Sequence, residues 1–168
     1  FYNLLHMTSI NIAFWNVGVS PLFHSKPDFI RAAEVFGMVE SIMKKRHIDV
    51  FILCEMNAVA IDNISKLLPT HKIIRANDNV SKNLHFDMVL ILSSRVKLIH
   101  STPIFDRTKS IGGHAIKAGY QFLIEMNSGV ADSSSKKLSV IASHWPSKIR
   151  DSDSFKKDHA ARILSDIC

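Results

Sequence analysis

Three side chains stand out for where they fall: Asn16, Glu55 and His144 each close an apolar run, at residues 10–15, 50–54 and 138–143 respectively. An amide, a carboxylate and an imidazole are the groups that hold a hard cation and a phosphoryl oxygen. In α/β proteins ligands collect at the carboxyl ends of strands, where loops stand on a rigid sheet and aim side chains into one crevice. If the three runs are strands of one sheet edge, these residues would suit a magnesium ion and a phosphate. Asn16 alone could serve a turn, since Asn16-Val17-Gly18 has a common turn composition.

The elements needed to place them can be read from spacing. Residues 10–15 are β-branched and aromatic and read as a buried strand. Ser25 and Asp28 resemble a capping box, Pro27 suits a first turn, and Phe29, Ala33, Phe36, Val39 and Met43 recur at helical spacing. Lys44-Lys45-Arg46 ends that helix with cations, and the simplest role for them is as its solvated end. Val50-Phe51-Ile52-Leu53-Cys54 has the length and type of a strand buried on both faces. Residues 61–68 predict a helix stopped by Pro69, and residues 72–75, 86–92 and 96–100 predict strands. Gly112-Gly113 marks a break, with Lys117 ahead of a strand at 120–126. The Ser-rich stretch 128–137 joins that strand to 138–143 as a hairpin. Phe155, His159, Ile163 and Ile167 predict a last helix over 152–167. This order, β-α-β followed by several strands and a helix, points to a single domain of an α/β sandwich.

Composition narrows the classes. A chain of 168 residues, 46 % hydrophobic, suffices for one sizeable core. Its net charge of +6 favours a polyanionic partner. The two cysteines, Cys54 and Cys168, fit a reducing compartment, so a cytoplasmic location is expected. Cys54 reads as a small buried hydrophobe, and Trp15 and Trp145 as packing residues. No apolar stretch nears the roughly 20 residues of a membrane-spanning helix, so a soluble protein is expected. Residues 1–6 end in His6-Met7, which resembles the join between vector sequence and a native Met7.

The three runs together resemble the endonuclease/exonuclease/phosphatase family. Trp15-Asn16 is similar to its opening motif, Asp49-Val50-Phe51-Ile52-Leu53-Cys54-Glu55 to its second, and Ile141-Ala142-Ser143-His144-Trp145-Pro146-Ser147 to its third. The resemblance implies that Glu55 holds Mg2+ or Mn2+, that Asn16 orients the phosphate or attacking water, and that His144 donates to a phosphate oxygen. It also implies phosphate contacts for Asn57 and Lys117. Lys148 and Arg150, close to His144 in sequence, could extend a surface for a phosphate backbone.

What the resemblance implies for fold is the N-terminal portion of a four-layer, deoxyribonuclease-like α/β sandwich. The family's later Gly-Asp-Phe-Asn-like and Ser-Asp-His-like segments, which handle the nucleophile, have no match here. The expectation is therefore an incomplete domain over residues 1–168, inactive alone, completed by self-association or by a complementing C-terminal segment. Three functions remain open at this stage. The first is metal-dependent hydrolysis of DNA or RNA, which the basic charge favours. The second is a phosphatase or phosphodiesterase acting on lipid or small phosphate esters. The third is a binding fragment without turnover.

Overall fold

The computed structural model describes residues 9–18, 29–56, 58–76, 87–111, 114–126, 135–143, 158 and 161–166. In chain order the elements are β1 (Ile12–Asn16), α1 (Phe29–Arg46), β2 (Val50–Met56), α2 (Ala58–Leu67), β3 (Lys72–Ala76), β4 (Asp87–Leu92), β5 (Val96–Ile111), β6 (His114–Met126) and β7 (Lys136–Ala142). They form a four-stranded sheet ordered β1-β2-β4-β3 and a three-stranded sheet ordered β5-β6-β7. The chain divides into two compact units, Phe1–Lys97 with Glu125–Lys136 and Leu98–Ile124 with Lys137–Cys168.

In the first unit β2 is central, parallel to β1 and antiparallel to β4. That position explains its unbroken apolar run, because a strand flanked on both sides and covered on both faces has no solvent-facing positions. Phe51, Leu53 and Met56 enter a core with Val35, Phe36, Val39 and Met43 of α1 and Ala60, Ile61 and Ile64 of α2. Of the α1 positions that the sequence spaces helically, Phe36, Val39 and Met43 are buried, whereas Ala33 is exposed. Ser25 and Pro27, read as the start of that helix, lie outside the described residues.

The helix ends on His47, whose φ of +49° is left-handed. A residue just past a helix often takes this shape to bond the last carbonyls, and glycine does so without the side-chain clash that other L residues incur. His47→Gly is therefore expected to raise stability by about 1 kcal/mol. A higher urea midpoint at unchanged slope would show it.

Along the hairpin, partners on β6 and β7 run in opposite order. Ser143 Oγ donates to the Ala118 carbonyl at 2.6 Å, Gln121 Nε2 to Ser139 Oγ at 2.9 Å, and Ser135 Oγ to Glu125 Oε1 at 2.6 Å. The two strands are antiparallel, as the hairpin reading expects. Residues 161–165 are helical, and Ile163 and Leu164 pack against Ile104 and Ala118. Asp166 is in a turn, and the rest of the helix expected over 152–167, apart from residue 158, lies outside the described residues.

Three expectations need correction. The first strand is not buried: Ile12 and Phe14 are 41 % and 50 % exposed, because β1 lies at the edge of its sheet. The strand expected at 96–100 continues to Ile111, through Pro103 and several polar residues, because it pairs with β6. For the same reason β6 begins at His114, so Lys117 lies within that strand and not ahead of it.

Candidate metal and phosphate site

The parallel register sets Ile12 beside Val50 and carries through to Asn16 beside Cys54. Past that pair Val17 N donates to the Cys54 carbonyl at 3.1 Å, which keeps the two strand ends together. Glu55 comes next on β2, and it is the irregular residue of the strand. Its φ is +60°, and the pairing of β2 with β4 shifts register between Leu53 and Met56.

Side chains alternate faces along a strand, so a regular β2 would send Glu55 to the core face of Phe51 and Leu53. A bare carboxylate there would be costly. The extra residue resolves the conflict: Met56 takes the core position instead, and Glu55 is turned out of the alternation as the bulged residue. It is half-buried, and its Oε1 accepts a hydrogen bond from Asn16 Nδ2 at 2.9 Å. Gly18 N donates to Asn16 Oδ1 at 3.2 Å, so the amide is held at both ends. Backbone strain of this kind, about 1–3 kcal/mol, persists where the surroundings enforce it and is concentrated at functional sites.

The structure thus unites two of the three residues singled out by sequence. His144, Asn57, Lys148 and Arg150 lie outside the described residues, as does the side chain of Lys117. The strand from which His144 follows is nevertheless closely fixed. Ser143 is tied to Ala118, and Gly119 admits the Ala142 carbonyl so closely that a Cβ would lie 2.2 Å from its oxygen.

Among the described residues no three His, Cys, Asp or Glu side chains converge as a metal cluster. The donor set still fits magnesium. That ion keeps several waters and is commonly held by one or two carboxylates plus substrate phosphate, and Glu55, oriented by Asn16, would supply one such carboxylate. Manganese, which shares this preference for oxygen, would fit as well.

Local sequence marks Asp49 only as the lead into β2. It is 2 % exposed and fully engaged, at the end of β2 opposite Glu55. Its carboxylate accepts from Asn11 N at 3.0 Å and Ser93 Oγ at 3.1 Å, and pairs with Arg95 at 3.3 Å.

The sequence matches no protein-family model and no curated protein. Solved structures do match. An endonuclease/exonuclease/phosphatase from Bacteroides vulgatus aligns with a TM-score of 0.64 at 12 % identity, over 90 % of this chain and 56 % of that one. The chain has the endonuclease/exonuclease/phosphatase fold. A humanized D. rerio TDP2 carrying 14 mutations aligns with a TM-score of 0.62 at 18 % identity, over 92 % and 57 % of the two chains. D. rerio TDP2 complexed with a single-strand DNA product aligns at 0.60 and 18 %, over 92 % and 52 %. The chain spans about half the length of the structures it matches, as the sequence reading of an N-terminal portion expects. Among the described residues no helix is long and apolar enough to cross a membrane.

Proposed function

We propose that Asn16 and Glu55 belong to a magnesium-dependent phosphodiesterase site whose substrate is nucleic acid. The observation that carries this is the 2.9 Å amide–carboxylate pair at the ends of two adjacent parallel strands, with Glu55 in a left-handed conformation. In this reading Glu55 is the anionic anchor for Mg2+ or Mn2+, and Asn16 fixes the direction of its carboxylate. When bound, the ion would supply Lewis-acid polarisation of a phosphoryl oxygen. His144 would donate to that phosphate, and Asn57, Lys117 and Lys148 would hold flanking phosphates. The net charge of +6 and the DNA named with the D. rerio TDP2 structure favour a nucleic acid over a lipid or a small phosphate ester.

Titration with Mn2+, followed by its electron paramagnetic resonance signal, tests the anchor. One site per chain is expected in wild type, weakened roughly 100-fold or more in Glu55→Gln, since even groups behind the ligands cost 10- to 100-fold when lost. Equal affinity in the two proteins would remove Glu55 from the site. The substrate is tested by magnesium-dependent cleavage of single-stranded DNA against phosphoinositide and nucleotide substrates. Preference for either of the latter would favour the small-ester reading. Tight binding of metal and oligonucleotide without turnover would make the chain a phosphate-binding module.

A further inference from the structure

Asn16-Val17-Gly18 has a turn composition, and in the structure that turn and the contact with Glu55 are two ends of one amide. Gly18 N donates to Asn16 Oδ1 at 3.2 Å, while Asn16 Nδ2 donates to Glu55 Oε1 at 2.9 Å. The first is the local bond that an asparagine makes to the backbone two residues on. Between its two partners lies Val17, whose side chain is 2 % exposed within the core and whose N–H bonds the Cys54 carbonyl. Asn16 and Gly18 thus flank a residue fastened to β2 by its backbone and to the core by its side chain.

Asn16 is exposed and has two side-chain torsions to fix, and one hydrogen bond made in water returns little beyond the entropy it costs. The tie to Gly18 settles both torsions before Glu55 is engaged. It also sets the polarity of the amide. A cation at Glu55 would draw the amide oxygen toward itself, but that oxygen is engaged by the Gly18 N–H, and nitrogen is the end that meets the carboxylate. Gly18 is suited to the task because its φ of +60° is left-handed, a region that disfavours L side chains. Another residue would leave that region with least displacement of the flanking chain by rotating the Val17–Gly18 peptide, the same rotation that relates the type I and type II turns. That rotation turns the N–H away from Asn16.

We propose that Gly18 is a positioning residue: its N–H holds the Asn16 amide with nitrogen toward Glu55, so that Asn16 serves the metal site as a hydrogen-bond donor to the carboxylate and not as an oxygen ligand. The consequence for metal binding rests on the reading of Glu55 given above, whereas the hold of Gly18 on Asn16 does not.

The test sets Gly18→Asn, which keeps the N–H and tolerates positive φ, against Gly18→Val, whose β-branched side chain does not. Gly18→Ala is the milder form and decides the matter should the valine variant not fold. Each is made in the 168-residue chain, alone and together with Asn16→Ala, with circular dichroism to confirm the fold. Mn2+ affinity is expected to fall roughly 10-fold in Gly18→Val and in Asn16→Ala, and to stay within about threefold of wild type in Gly18→Asn. Because Gly18 acts through Asn16, the double variant should bind no more weakly than Asn16→Ala alone. A further loss in the double variant, or undiminished affinity in Gly18→Val and Gly18→Ala, would overturn the proposal. The side-chain amide signals of Asn16, identified in heteronuclear spectra by their absence from Asn16→Ala, give a reading without metal. They should move toward their unfolded-chain positions in Gly18→Val as they do in Glu55→Ala, and stay in place in Gly18→Asn. Signals that respond to Glu55→Ala but to neither Gly18→Val nor Gly18→Ala would equally overturn it. A wild type that binds no Mn2+ would sink the metal reading alone, and the amide signals would still decide whether Gly18 holds Asn16.

Discussion

Replacing Glu55 by glycine is expected to leave the fold as stable as before, or stabler by up to about 1 kcal/mol, while Mn2+ affinity falls roughly 100-fold or more. An L residue held at positive φ costs about 1–2 kcal/mol relative to glycine. Glu55 has φ +60° near the end of β2, whose other residues are all buried. The substitution also deletes the bond from Asn16, which is exposed and contributes about 1 kcal/mol or less. The two terms nearly cancel, with strain relief the larger.

The contrast with a neighbour makes the expectation sharp. Leu53 is 0 % exposed and sits two residues away on the same strand. Leu53→Gly would lose about 2–5 kcal/mol from the vacated core volume and a further 0.5–1 kcal/mol from the glycine itself. Urea unfolding of both variants beside the wild type decides the matter. If Glu55→Gly is as damaging as Leu53→Gly, the left-handed carboxylate is a structural necessity and not a tolerated cost. Stability retained while metal affinity is lost would mark Glu55 as a residue whose side chain serves binding and not folding.

That pairing also shows where a sequence stops being readable. The run Val50-Phe51-Ile52-Leu53-Cys54 announces a central strand because every position is apolar, and every one is buried. The α1 stripe is legible for the same reason, since Phe36, Val39 and Met43 recur at the spacing that one covered face requires. Glu55 is legible as a carboxylate at a strand end. Its bulge is not, because the shift depends on how β2 pairs with β4, more than thirty residues further along the chain.

The edge position of β1 is hidden likewise. Apolar residues of both parities look the same whether a strand is flanked once or twice, so Ile12 and Phe14 give no warning of their exposure. The length of β5 is hidden because Pro103, Asp106 and Lys109 are not strand formers by local preference, and only pairing with β6 makes them strand. Asp49 is the clearest case. Its partners Asn11, Ser93 and Arg95 are 38, 44 and 46 residues away, and no local pattern links them. Residues whose role is set by covering a face can be read from spacing, whereas residues whose role is set by a distant partner cannot.

Gly119 belongs to the second kind and gives the largest loss expected from a single methyl group. Its φ is +156°, and a Cβ built there would lie 2.2 Å from the Ala142 carbonyl oxygen and 3.0 Å from Ser143 Cα. The atoms in the way are backbone, so no side chain can swing aside. To accept alanine, β7 must move away from β6 at the point where Ser143 Oγ bonds the Ala118 carbonyl. Overpacking of this sort costs about 1–3 kcal/mol and the disfavoured φ about as much again, so Gly119→Ala should destabilise by about 3 kcal/mol or more. In a chain of this size that is a fall in melting temperature of roughly 6–12 °C. Gly37 in α1 supplies the control, because a Cβ there would meet nothing within 4 Å. Gly37→Ala should stabilise by about 0.5–1 kcal/mol, since alanine is the better helix former. The same methyl group, added at two glycines of one chain, should thus shift the melting temperature in opposite directions. Equal shifts would show that β6 and β7 do not approach as closely at Gly119 as the geometry requires. The strand end from which His144 follows would then be set by something other than this contact.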